Sequence, residues 1–121
     1  MNRNEAFDNA KNPFILQQRV EEMIYYTHLT LEKFPKCEKH VLCAEIKSSM
    51  LVILKLTIRM KKKYYKKNTL QDIDIEVDSI RALIKLSDKM GYISHGKMRY
   101  WLQGIDEIGR IIGGLMKTFD K

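Results

Sequence analysis

The sequence is poor in the residues that punctuate or cross-link a chain. Two prolines and six glycines in 121 residues exclude a collagen-like or loop-dominated polymer and leave room for long helices. Two cysteines, Cys37 and Cys43, are too few for a disulfide scaffold. Six apart in what reads as one helix, they would sit roughly 9 Å apart along its axis, too far to bridge. No apolar run suits a membrane span, since the longest, Met50 to Leu54, is stopped by Lys55. The amino-terminal MNRNEAFDNAKNPF has no apolar signal core. These features fit a protein of the reducing cytoplasm with no membrane partner. Acids are scarce too, 15 against 22 Lys and Arg, for a formal net charge of +7. That surplus favours a polyanionic partner, because clustered cations gain affinity for phosphates by releasing condensed counterions.

Apolar types nonetheless make up 45% of the chain, enough for one domain of this length to bury a core without disulfides or a structural metal. Their spacing is helical. Over 14–34, Val20, Met23, Ile24, Thr27, Leu31 and Phe34 fall at steps of three and four, and Pro35 ends the segment. A second helix over 36–67 carries Leu42, Ile46, Met50, Ile53, Leu56 and Met60 and would run roughly 48 Å. A third over 69–90 takes Thr69 as N-cap, Asp72 as capping-box partner, and Leu70, Ile73, Val77, Ile80, Ile84 and Ser87 as its stripe. Gly91 suits the left-handed residue that closes it, and Ser94 suits the N-cap of a fourth helix over 94–119. Ile93 and Met98 are placed as a hydrophobic staple there, ahead of Trp101, Leu102, Ile105, Ile108, Ile112, Leu115, Met116 and Phe119. Short connections between four amphipathic rods predict an all-α, antiparallel up-down-up-down four-helix bundle, with 1–121 as one domain.

Two stretches exceed what a lone bundle needs. Residues 50–58 are apolar around nearly the whole circumference, and a partner surface is the simplest source of the extra burial. Gly109, Gly113 and Gly114 interrupt the fourth helix, each costing about 1 kcal/mol against alanine, which points to close backbone approach. Gly109 and Gly113 are therefore assigned to packing.

The largest charge feature is the run Lys55, Arg59, Lys61, Lys62, Lys63, Lys66 and Lys67: seven cations in thirteen residues, no acid among them, interleaved with Tyr64 and Tyr65. Such a segment can follow a phosphate backbone while the tyrosines offer faces to unpaired bases. Solvated lysines that relieve a helix dipole are the plainer alternative, and the imbalance of the run favours nucleic acid. Docking on anionic lipid is weaker, because the apolar face is committed to the bundle. Arg81, Lys85 and Arg110 are further candidates on later helices.

Cys37-x-x-His40-x-x-Cys43 offers three zinc-type ligands but no fourth, so no metal is assigned and the cysteines read as small hydrophobes. No Glu-x-x-His exists to build a di-iron bundle. His28 could be imagined as a phosphorelay histidine, but a satisfied or solvated histidine is the commoner state. With three histidines and no nucleophile elbow or phosphate-binding glycine loop, no catalytic residue or cofactor is assigned, and the chain reads as non-enzymatic.

Specific stretches resemble a known family. Phe34-Pro35-Lys36-Cys37-Glu38-Lys39, then Leu42 and Ile46-Lys47, and the ending Asp106-Glu107-Ile108-Gly109-Arg110-Ile111-Ile112-Gly113-Gly114-Leu115 carry the likeness. They resemble the four-helix-bundle family that includes the accessory variability determinant (Avd) proteins of diversity-generating retroelements and the proteins encoded in intervening sequences of bacterial 23S ribosomal RNA genes. The similarity spans roughly residues 15 to 119, and the glycine-rich ending is its most specific part. Resemblance to the Avd branch implies a homopentameric barrel of bundles with a basic surface. That surface would bind template RNA or DNA and the retroelement's reverse transcriptase, supporting mutagenic cDNA synthesis without catalysis of its own. The other branch implies a structural oligomer with no reverse-transcriptase partner. Cys43 stands where relatives often carry a small residue such as glycine, and the lysine run after Met60 is heavier than the family's usual one.

Overall fold

Leu16, Val20, Thr27 and Leu31 fall on one face of a helix over Pro13–Leu31 (α1), and all four are buried. The computed structural model describes residues 13–119. Helical backbone is disfavoured at the residue before a proline, so the chain leaves α1 ahead of Pro35. It does so through tighter bonds, Lys33 N–H to the Thr30 carbonyl (3.3 Å) and Phe34 N–H to that of Leu31 (3.1 Å). The helix therefore stops at Leu31, three residues short of the expected 34.

The second helix begins late for a reason that lies outside it. Lys36–Glu38 winds as one 3-10 turn, and the Tyr92 hydroxyl donates to Glu38 Oε2 at 2.6 Å, pinning that turn against the α3–α4 connection. Phe34 buries beside it, 5.4 Å from the Tyr92 ring and 6.5 Å from that of Trp101. α2 then runs Leu42–Lys62, so Cys37 and Cys43 stand on different elements and are both free. It ends five residues before the expected 67, because Lys63 is extended (φ −88, ψ 144). The Lys66 ammonium swings back onto the carbonyls of Met60 and Lys63, 2.7 Å from each, and satisfies the helix end. The rod is thus roughly 31 Å long, not 48 Å.

α3 spans Lys67–Lys89 and starts two residues before Thr69, which is buried in the first turn instead of capping it. Leu70 N–H reaches the Lys66 carbonyl (2.9 Å), so Thr69 and Leu70 both turn toward the core. The α3–α4 connection is as the sequence predicts. Gly91 has φ +79, Tyr92 N–H bonds the Ser87 carbonyl (3.0 Å) and Gly91 N–H that of Asp88 (2.9 Å), a Schellman closure. The Ser94 hydroxyl then accepts from Lys97 N–H (3.2 Å) to cap α4, His95–Phe119.

Each helix packs on its neighbours in the chain and α1 closes on α4, the cyclic adjacency of an up-down-up-down bundle; no strand occurs among the described residues. The core is aliphatic around Trp101, which is fully buried and donates from its indole N–H to the Thr27 hydroxyl (3.0 Å). Thr57 and Ser87, also buried, donate to carbonyls one turn back, at 2.8 Å each. Within the over-apolar stretch of α2, Met50, Ile53 and Thr57 face inward while Leu51 and Ile58 are each 43% exposed. On α3, Ile75 and Leu86 are exposed apolar residues too. No helix among the described residues is long and apolar enough to cross a membrane.

The antiparallel course divides the connections between two ends. The α2–α3 connection lies with the start of α1 and the finish of α4 at what we call the tyrosine end. The α1–α2 and α3–α4 connections share the opposite, hairpin end.

Candidate nucleic-acid interface

The break in helix after Lys62 makes the site. Had α2 continued, Tyr64 and Tyr65 would lie on a helix wall; in the extended link they stand clear of the bundle, 88% and 83% exposed. Their rings meet edge to face, with centroids 4.9 Å apart and planes at 84°. Each thus keeps an open face of the kind that stacks on an unpaired base.

Lys61, Lys62, Lys63 and Lys67 surround them and are exposed. No acid pairs with Lys61, Lys62 or Lys63 among the described residues; Lys61 instead donates to the Gln17 side chain across the α1–α2 seam. Lys66 is the exception in the cluster. Half-buried, it caps α2 and lies over the Phe119 ring, 5.7 Å from its centroid, so its charge is shared with the fold. Lys55 and Arg59, exposed on α2, extend the cations upward; Lys55 is two turns above Lys62, about 10 Å.

The later candidates separate. Arg81 of α3 is committed to an ion-pair clamp, with Nε 2.7 Å from Asp106 of α4 and Nη1 2.6 Å from Asp78. Burial alone would weaken its hold on the proton, and the two carboxylates more than offset that, so its affinity rises above the ordinary value. Gly109 leaves the space this clamp needs: a methyl group there would collide with Arg81 Nη2. Gly113 is different, since no atom of the described residues lies within 4 Å of a methyl group placed on it. Lys85 is exposed on α3, about 27 Å along the helix from Lys67. Arg110, exposed on α4, has no ion pair among the described residues and borders a groove between α1 and α4.

A mirror of the Arg81 clamp sits on that groove, with Arg19 of α1 holding Glu107 of α4 (2.8 Å) and Glu22 (2.9 Å). Both acids of the Asp106-Glu107 pair are thereby neutralised from opposite sides, which leaves Arg110 to set the sign of the outer α4 face. Spacing alone could not reveal these partners, which are 25 and 88 residues away in sequence. Nor does the sequence single out Gly104, where a methyl group would collide with the Met23 thioether.

Cys37, His40 and Cys43 do not converge: Cys37 and His40 are exposed, Cys43 is buried, and no group of three His, Cys, Asp or Glu is placed to hold a metal among the described residues. A family model described as bAvd-like matches residues 14–119. No curated protein and no solved structure matches the chain.

Proposed function

This chain belongs to the bAvd-like family, and on that premise we propose that it is a non-enzymatic, cytoplasmic accessory protein of a diversity-generating retroelement. In this role it binds template RNA or DNA together with the reverse transcriptase, in support of mutagenic cDNA synthesis. The observation that carries the nucleic-acid part is the tyrosine end, where Lys61, Lys62 and Lys63, with no acidic partner among the described residues, lie beside two rings held in water. Lys61, Lys62, Lys63 and Lys67 neutralise phosphates there, Lys55 and Arg59 prolong the track, and Lys66 supports it from the helix end. Lys85 and Arg110 make outlying contacts. Arg81 and Gly109 act by fixing α3 to α4.

Homopentameric assembly belongs to the same reading. Leu51 and Ile58 on α2 lie in a row with Lys55, while Ile75 on α3 lies between Asp72 and Asp78. A copy that lays Leu51 and Ile58 of α2 on Ile75 of the next makes a head-to-tail contact, which closes into a ring where the rotation from copy to copy returns to its start. That contact also buries apolar side chains that no element among the described residues covers.

Affinity purification from the native cells, with and without nuclease, tests the reading. Recovery of a reverse transcriptase with its template RNA supports it; recovery of neither, from cells that express the enzyme, contradicts it and leaves a structural oligomer of the intervening-sequence type. Light scattering of the purified protein is expected to give five times the 14.3 kDa chain mass.

A further inference from the structure

The hairpin end holds cations that the nucleic-acid reading does not use. Lys36, Lys39 and Lys47 rim a notch of about 230 Å3 at the α1–α2 connection, over a floor of Leu31, Phe34, Pro35 and Cys43. Leu31, Phe34 and Cys43 are buried and Pro35 is exposed, so the floor is apolar. Burial pushes the Cys43 thiol up, and the Lys47 ammonium pulls against that rise, which sets its charge above the floor. Glu32 is the one carboxylate in the lining. Two further acids lie near this end and keep their charge: Glu38 accepts from Tyr92 at 2.6 Å, and Asp88 lies 2.9 Å from the His95 ring, so the three lysines must outweigh them.

Size and chemistry narrow what such a notch can take. Ligand pockets for nucleotides and cofactors run from about 300 to 1,000 Å3, whereas this one holds a single large side chain. A base finds no ring to stack on, because Phe34 is 7% exposed and engaged by Tyr92 and Trp101. A phosphate chain would gain nothing from the apolar floor. An apolar side chain with carboxylates on either flank matches both parts: the floor takes the side chain out of water, and the three ammonium groups take the acids.

We propose that this notch docks an acidic linear segment of a partner protein, with one leucine- or phenylalanine-sized side chain on Cys43 and Phe34 and flanking carboxylates on Lys36, Lys39 and Lys47. The proposal does not rest on the nucleic-acid reading, since it uses the opposite end of the bundle and other residues.

The probe is a fluorescein-labelled heptapeptide with a central phenylalanine between two acidic triplets, followed by anisotropy against the full chain. A serine-centred version is expected to bind at least about tenfold more weakly, the worth of one buried aromatic side chain. Lys36→Glu/Lys39→Glu, at two exposed positions, is expected to weaken the phenylalanine peptide by about tenfold or more with helical circular dichroism unchanged. Lys61→Glu/Lys63→Glu at the tyrosine end leaves peptide binding intact. Equal binding of the two peptides, no binding at low salt, or a single-stranded RNA that competes for the notch and is lost in Lys36→Glu/Lys39→Glu would each overturn the proposal. The last result would assign the notch to nucleic acid.

Discussion

The two ends of the bundle carry the same kind of charge on opposite kinds of scaffold. At the tyrosine end the helix breaks, the rings of Tyr64 and Tyr65 project into water, and Lys61, Lys62 and Lys63 have no carboxylate partner among the described residues. At the hairpin end Phe34 and Trp101 turn inward, Phe34 packing on both Tyr92 and Trp101, and two of the local acids pair with Tyr92 and His95. Positive charge alone therefore does not define a site. Open aromatic faces beside Lys61, Lys62 and Lys63 suit a flexible polyanion, whereas an apolar floor beneath lysines suits a side chain with acids around it.

Stability should divide along the same line. Trp101 ties α1 to α4 near the hairpin end, so Trp101→Ala is expected to cost about 3–5 kcal/mol in urea unfolding, whereas Phe119→Ala at the other end costs under about 1 kcal/mol. Trp101→Phe keeps most of the volume but leaves the Thr27 hydroxyl without its donor, and should cost about 1–2 kcal/mol. A large loss at Phe119 would erase the contrast between a sealed end and an open one.

Binding should divide the other way. Lys61→Glu/Lys62→Glu/Lys63→Glu is expected to lower affinity for single-stranded RNA by about a hundredfold and to reduce the salt slope by about 2, as phosphate contacts are lost. Three reversals at Lys33, Lys36 and Lys39 should change it by less than about threefold, because acids and apolar floor there do not track a backbone. Anisotropy titrations at several salt concentrations read both.

The Tyr92–Glu38 bond gives the hairpin end a pH signature. The hydrogen bond to Glu38 raises the Tyr92 phenol from its usual 10.0 to about 12. A phenol raised by folding contributes stability that is complete below its unfolded value and is lost as pH climbs through the folded one. Wild-type stability should therefore fall relative to Tyr92→Phe between pH 10 and 12, and the difference between the two should be flat from pH 7 to 9. A flat difference throughout would mean that the bond does not hold the Lys36–Glu38 turn.

The smallest effect contrasts two glycines of α4. Gly113→Ala meets nothing among the described residues and is expected to stabilise the isolated protomer by up to about 1 kcal/mol through helix propensity. Gly109→Ala should gain less, because Arg81 must swing away from Asp106.

What could be read from the sequence was whatever is decided locally. The α3–α4 hairpin is written in Gly91 and Ser94, and the four stripes in their three-and-four spacing, so both were legible. The ends of α2 were not, because long-range contacts set them: Tyr92 holds the turn before it, and Lys66 reaches back to close it. Thr69 has the chemistry of an N-cap, and the core claimed it instead. In the candidate site, the lysine run and its tyrosines were visible as a cluster. That Arg81 belongs to a clamp with Asp106 was not, since only the packed α3–α4 pair brings them together. The notch escaped for the same reason: its lysines are scattered over residues 36–47, and its floor comes from two helices and the turn between them.

The most direct test of the central claim is photo-crosslinking of a 4-thiouridine-substituted single-stranded RNA to the purified protein, with the attached residues mapped by mass spectrometry. Cross-links concentrated on Tyr64 and Tyr65, with few elsewhere, are the predicted result. Cross-links concentrated at the hairpin end, on Tyr92 or the peptide carrying Lys36 and Lys39, with Tyr64 and Tyr65 unmodified, would contradict it.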